Sequence, residues 1–225
     1  MELCMWGRHI MMGYIYREDA TRKDMTEDGW LRTGDLADID NDGFHKIVGR
    51  EKDLIITAGG ENIAPQPIHE AVKSRLPVLS QVLLLGDKQK FCSAFLTLAV
   101  NVDPDTMEPS DDLSPAAVDW CRYVVKETET DSVIKYFYFV LRSVGSDANT
   151  VKDIMKGPDA KVMKGIQAGI DAANKEAVSN AQKIQKWMII PRDFSIPGGE
   201  IGPTLKVKRQ AVVKMYQKQI NKIYA

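Results

Sequence analysis

Asp35 stands in Thr33-Gly34-Asp35, and its ionised carboxylate can only accept hydrogen bonds. Two carboxylate oxygens suit two neighbouring hydroxyls such as those of a ribose, the use that dinucleotide folds make of an acidic residue. The same pattern also suits a carboxylate that caps a turn. Arg50 opens the charged run Arg50-Glu51-Lys52-Asp53. Its fork of donors can reach a ribose or a phosphate, or can lie in solvent. Gly59-Gly60 lets backbone approach a ligand closely, or makes a plain hairpin turn. Lys206 sits in Gly202-Pro203-Thr204-Leu205-Lys206-Val207-Lys208-Arg209, at the boundary of a loop and a helix. A lysine held there can offset charge developing on a carboxylate or phosphate. With Lys208, Arg209 and Lys214 beside it, a solvated basic helix end fits as well. No Ser/His/Asp or Cys/His constellation, P-loop or G-x-G-x-x-G occurs.

The elements that must position these residues are short. Residues 1–16 read as a strand pair punctuated by Gly7 and Gly13, and 17–28 as a surface helix or loop. Asp28-Gly29 and Thr33-Gly34-Asp35 are turn chemistry flanking a strand, and Asn41-Asp42-Gly43 joins two strands as a hairpin. The charged run after Gly49 reads as a linker between two bodies. Beyond it, Ala58–Asn62 is a turn, and a helix with Pro67 in its first turn puts Ile68, Ala71, Val72 and Leu76 on one face. Buried strands are predicted at Val82–Leu85, Phe95–Val102 and Trp187–Pro191, and a loop at Asp103–Pro115. Helices are predicted from Ser114, over 160–178, and from Lys206 to Tyr224. The result is an α+β fold: a β-rich opening piece, then a short sheet with flanking helices.

Composition excludes several classes. At 225 residues the chain is one domain or one and a half, taking roughly 150 residues per domain. Hydrophobic residues at 44% and charged residues at 27% are globular values, so a disordered or collagen-like chain is excluded. Thirty basic against thirty-one acidic residues imply no general attraction to nucleic acid. Cys4, Cys92 and Cys121 are odd in number and widely spaced, and His9, His45 and His69 are scattered. That argues against a disulfide framework or a metal site and for a reducing compartment. The longest apolar runs fall far short of the ~20 residues that span a bilayer, and the first residues lack the pattern of a signal peptide.

The order of the pieces is more specific than any one of them. Trp30-Leu31-Arg32-Thr33-Gly34-Asp35, Gly49-Arg50, Ala58-Gly59-Gly60-Glu61-Asn62-Ile63-Ala64-Pro65 and Pro203-Thr204-Leu205-Lys206 together resemble the closing third of the adenylate-forming acyl-CoA synthetases. Leu3–Arg8, Ile184–Trp187 and Arg192–Ser195 are similar to the bubblegum-type long-chain-fatty-acid–CoA ligases. The resemblance covers residues 1–122 and 143–225. It implies a remnant of the N-terminal adenylation domain at 1–51 and a mobile C-terminal domain at 52–225. It implies fatty acid, ATP and CoA as substrates, with Mg²⁺ carried by ATP, and no nucleic-acid partner. By the same resemblance Asp35 and Arg50 bind the nucleotide ribose, Lys52 is the hinge, Gly59 and Gly60 line the CoA tunnel, and Lys206 is the catalytic lysine that contacts the reacting carboxylate and α-phosphate. A cytoplasmic protein is expected, with room for association with endoplasmic reticulum or another membrane surface.

Two departures from the pattern matter. The family's phosphate loop and acid pocket have no counterpart, so the segment alone is expected to be inactive and acyl chain length cannot be read from it. A non-catalytic nucleotide- or CoA-binding fragment and a medium-chain or aryl acid–CoA ligase remain the alternatives. Residues 123–142, rich in aromatics at Tyr123, Tyr136, Phe137, Tyr138 and Phe139, have no family counterpart and read as a foreign insertion.

Overall fold

The computed structural model describes residues 1–122, 144–157 and 159–225. The expected insertion at 123–142 lies outside the described residues.

The opening piece is a three-stranded antiparallel sheet. It is built from β1 (Glu2–Met5), β2 (Leu31–Ile39) and β3 (His45–Arg50), with β2 in the middle, and the helix α1 (Glu18–Asp24) between β1 and β2. The predicted hairpin at Asn41-Asp42-Gly43 joins β2 to β3. There Asp40 Oδ1 accepts from the N–H groups of Asp42 and Phe44 at 3.0 and 2.9 Å, an Asx-type turn. The predicted strand pair inside residues 1–16 does not form. β1 pairs instead with β2, because that strand supplies a long edge while residues 6–17 are broken by two glycines with φ of +152°.

After a 3₁₀ turn at Glu51–Asp53 comes the rest of the chain. It opens with a small hairpin of β4 (Ile55–Ile56) and β5 (Asn62–Ile63), then α2 (Pro65–Lys73). Pro65 takes the first helical position, where a missing N–H costs nothing. The central sheet has β6 (Leu79–Leu85) antiparallel to β7 (Cys92–Leu98), with β10 (Ile184–Ile189) parallel on the other side of β7. Between these lie β8 (Val100–Val102) and β9 (Pro109–Leu113), which pair with each other. The stretch predicted as loop thus contains a strand, because β8 offers it a partner. Then come α3 (Pro115–Arg122), α4 (Val151–Met155) and α5 (Ala160–Asn174).

Period-2 alternation splits the core in two. Val82, Leu84, Ala94 and Leu96 point to one face, where Val72, Trp120, Ile166 and Ile170 cover them. Leu83, Leu85 and Phe95 point to the other, under α6 (Arg209–Met215) and α7 (Gln217–Tyr224), which contribute Val212, Ile220 and Ile223. Phe95 is fully buried, a burial worth roughly 1.5–3 kcal/mol. The face packed on α5 needs close approach. A methyl on Gly169 would stand 2.5 Å from Leu76 Cδ2, and one on Gly165 would stand 2.9 Å from the Trp120 ring.

Helix ends explain two further differences. Asp159 caps α5 by accepting from the N–H groups of Lys161 and Val162, but the helix stops at Asn174 rather than 178. Asn174 turns its amide onto Ile184, accepting from that residue's N–H and donating to its carbonyl at 2.9 Å, and so ties the helix end to the start of β10. The predicted single terminal helix begins at Arg209, not Lys206, and breaks at Tyr216, whose φ of −105° and ψ of 25° are not helical.

Candidate functional site

Asp35 lies inside β2 rather than at its end. Gly34 before it takes φ +69°, a left-handed conformation that kinks the strand without ending it. The backbone there is pinned independently of the carboxylate. Thr33 Oγ1 accepts from the Asp35 N–H at 3.1 Å and donates to the Leu3 carbonyl at 2.7 Å. In the β2–β3 register Asp35 faces Arg50, and Arg50 Nε meets Asp35 Oδ1 at 3.0 Å. The structure therefore brings these two predicted residues together as an ion pair between the middle strand and an outer strand of the opening sheet. The guanidinium is 61% exposed and the carboxylate 28%, so both can still reach a ligand.

Lys52 is exposed in the 3₁₀ turn that follows β3. It is the middle residue of this three-residue turn, which is closed by the Leu54 N–H donating to the Glu51 carbonyl at 3.2 Å. Gly59 and Gly60 form the tip of the β4–β5 hairpin. Gly60 takes φ +80°, and its N–H donates to the Thr57 carbonyl at 2.9 Å. A methyl on Gly60 would meet nothing within 4 Å, so glycine is required there by the backbone angle, not by crowding. The turn is braced from behind. Ala58 N–H donates to the Gln89 carbonyl at 2.9 Å, and Lys88 N–H to that of Ile56 at 2.7 Å.

Lys206 is exposed at the closing pair of a separate, ordered turn, three residues before α6 starts. Gly202 and Lys206 close this turn. The Leu205 N–H donates to the Gly202 carbonyl at 2.9 Å and the Gly202 N–H to the Lys206 carbonyl at 2.8 Å, while Ile201 bridges Val207 below. Leu205 sits in the left-handed region at φ +59°, the geometry that ends a three-residue hairpin loop. Glycine or asparagine is usual there. A leucine costs of order 1–3 kcal/mol and persists only where its surroundings hold it. Among the described residues no carboxylate lies within ion-pair distance of the Lys206 ammonium.

Sequence reasoning missed what holds this turn. Glu200 is buried, with 6% exposure, beneath it. Its Oε1 accepts from the Tyr216 hydroxyl at 3.0 Å, and its backbone carbonyl accepts from the Lys208 N–H at 2.7 Å. Burial, then the hydrogen bond to Glu200, pushes the Tyr216 phenol up to about 12, so it stays a donor. One signal pointed to Glu200: from Ile201 to Ala225 the chain has no Asp or Glu, so Glu200 is the last acid before a purely basic stretch. Among the described residues Asp193 is the other buried acid. It accepts from Thr97 Oγ1 at 2.5 Å and from the Phe194 N–H at 2.8 Å, and burial raises its pKa. The thiols of Cys92 and Cys121 are both pushed up to about 11 by burial and are not poised nucleophiles.

Among the described residues no group of three or more His, Cys, Asp or Glu side chains could hold a metal ion. No helix among them is long and apolar enough to cross a membrane.

Residues 147–225 match the family described as AMP-binding enzyme C-terminal domain. The chain is 47% identical over 223 residues to the long-chain-fatty-acid–CoA ligase ACSBG2 of Xenopus laevis, covering 99% of this chain and 28% of that protein. It is 45% identical over 223 residues to ACSBG1 of Rattus norvegicus, with the same coverage. Among solved structures it is similar to the adenylation domain of a carboxylate reductase from Mycobacterium chelonae. There the TM-score is 0.67 at 17% identity, over 99% of this chain and 27% of that one. The chain thus spans little more than a quarter of the length of the relatives it matches.

Proposed function

We propose, from its likeness to those ligases, that this chain is a C-terminal part of a bubblegum-type long-chain-fatty-acid–CoA ligase, one of the adenylate-forming acyl-CoA synthetases, and that its residues serve the reaction as follows. A fatty acid and ATP give acyl-adenylate and pyrophosphate; the acyl-adenylate and CoA then give acyl-CoA and AMP. The observation that carries the reading is the ordered turn that holds Lys206 out from the domain with its ammonium unpaired among the described residues.

In the first half-reaction the acid's carboxylate oxygen attacks the α-phosphate and negative charge gathers on the phosphate oxygens. A fixed ammonium beside them lowers that barrier, and does so most in a site closed to water. Asp35 accepts from the ribose hydroxyls while Arg50 orients it from the neighbouring strand. Mg²⁺ arrives with ATP. In the second half-reaction the domain that follows Lys52 rotates. Lys206 leaves the site, and the Gly59–Gly60 hairpin comes forward to line the path of the CoA thiol. Removing the lysine from a reactive adenylate and replacing it with the thiol channel also limits hydrolysis.

The division at residue 51 is supported by burial. Ala37 is the only buried residue of β1–β3, while Trp6, Trp30, Ile39, Phe44 and Ile47 lie exposed on or beside that sheet. A sheet with no core of its own belongs with a larger body. The reaction is proposed to run in the cytoplasm, with its fatty acid drawn from a membrane surface. By itself the chain supplies the lysine turn and the ribose pair and is proposed to be inactive.

The test is Lys206→Ala in the complete ligase polypeptide. Pyrophosphate release should fall by roughly 10²–10³, the loss expected of one preorganised charge-stabilising donor. Conversion of presynthesised acyl-adenylate to acyl-CoA should survive. Equal damage to both half-reactions would remove Lys206 from this role.

A further inference from the structure

We propose that Glu200 is the positioning residue of Lys206, bracing the base of the lysine turn against the body of the domain. The proposal rests on the adenylation role given above to Lys206. A buried carboxylate must find donors, since leaving it unpaired costs more than an ordinary lost hydrogen bond. Glu200 finds two on different elements. Oε1 takes the Tyr216 hydroxyl at 3.0 Å, at the junction of α6 and α7, and Oε2 makes a longer contact of 3.4 Å with the Ser195 N–H, on the chain entering the turn. A carboxylate accepts at both oxygens, which an amide cannot do.

Tyr216 in turn is held by the core. Its ring centroid lies 6.0 Å from that of Phe95 on the central sheet and 6.0 Å from that of Phe194. A continuous path therefore runs from the sheet through Tyr216 to Glu200. From Glu200 the next residues are Ile201 and Gly202, which pair with Val207 and Lys206. The space for the carboxylate is also made to fit. A methyl on Gly198 would collide with Glu200 Oε2, although the Gly198 backbone does not itself require glycine by its φ. Gly198 N–H donates to Ser195 Oγ at 2.9 Å, and Ile201 N–H to the Ser195 carbonyl at 3.1 Å, which completes the base. Above it, Leu205 stays in its left-handed conformation while 68% exposed, so its own packing is not what holds it there. The constraint comes from the braced base.

The experiment is a cycle of Glu200→Ala and Lys206→Ala in the complete ligase, assayed separately for pyrophosphate release and for thioester formation from acyl-adenylate. Misplacement by about 1 Å can cost 10²-fold, so Glu200→Ala is expected to lower the adenylation kcat roughly 10- to 100-fold with KM for ATP nearly unchanged. The thioester step should be nearly unaffected. With Lys206 already alanine, removing Glu200 should cost adenylation nothing further, since both changes act on one group. Glu200→Gln, Tyr216→Phe and Gly198→Ala should show the same selective loss in milder form, and they answer the question if Glu200→Ala does not fold. Multiplying losses in the double variant, or equal loss in both half-reactions, would overturn the proposal. If Lys206→Ala alone leaves adenylation intact, the lysine role fails first and this proposal falls with it.

Discussion

Removing the Asp35 carboxylate should separate folding from nucleotide binding. In Asp35→Ala the strand keeps its anchors, because Thr33 Oγ1 holds the residue-35 N–H and the Leu3 carbonyl without help from the carboxylate. What the fold loses is one ion pair, 3.0 Å long, whose arginine is 61% exposed. Solvent screening limits such a pair to about 0–1 kcal/mol. For a domain of this size that is a fall in Tm of no more than about 4 °C. The ligand loses far more. A hydrogen bond to a charged group contributes about 1.5–3 kcal/mol. Losing that much weakens nucleotide affinity roughly 10- to 150-fold. The assay is calorimetric titration of AMP into the complete ligase and its Asp35→Ala form, with thermal unfolding of both. Unchanged AMP affinity would refute the ribose role. A fall in Tm of ten degrees or more, far beyond the ~4 °C allowed to an exposed pair, would show that Asp35 is a structural residue instead.

Three further outcomes test other parts of the argument. Lys52→Pro fixes φ near −65° in the turn proposed as the hinge, so one half-reaction should suffer far more than the other, and unchanged rates for both would remove Lys52 from that role. His69 takes the Leu84 N–H on Nε2 at 3.0 Å, and lost hydration, with Arg209 and Lys73 nearby, lowers its pKa to about 4. The folded state thus binds its proton less readily than the unfolded chain. This contribution is complete above pH ~6.5 and is lost as pH falls towards ~4, about 3 kcal/mol in all. Urea titrations across that range should show a loss of stability towards low pH that is larger in the native chain than in His69→Gln by about that amount. Gly169→Ala puts a methyl 2.5 Å from Leu76. Overpacking of about 1–3 kcal/mol against a helix-propensity gain of about 1 leaves a net loss of up to about 2 kcal/mol, read as a lower urea midpoint.

Local chemistry was enough wherever one short stretch of chain decides its own conformation. The turn at Asn41-Asp42-Gly43, the hairpin tip at Gly59-Gly60, the helix starts at Pro65 and Pro115, and the buried strands around Val82 and Phe95 all formed as their residue types require. Their backbone angles and periodicities are properties of neighbours in sequence. The family order of motifs was legible for the same reason, since each motif is a local run. Contacts between distant segments were not legible. Nothing near residue 5 says that β1 pairs with β2, and nothing near Pro109 says that β8 will recruit a strand from a loop-like composition. Asp35 looked like a turn residue because Thr-Gly-Asp is turn chemistry, yet pairing with β3 on one side and β1 on the other keeps the strand running through it. The Asp35–Arg50 ion pair depends on that register. The lysine turn shows the division most clearly. Gly202-Pro203 announces a turn, but only packing places Tyr216 between Phe95 and Phe194 with its hydroxyl on Glu200, so that a buried acid remote from solvent holds an exposed lysine in place.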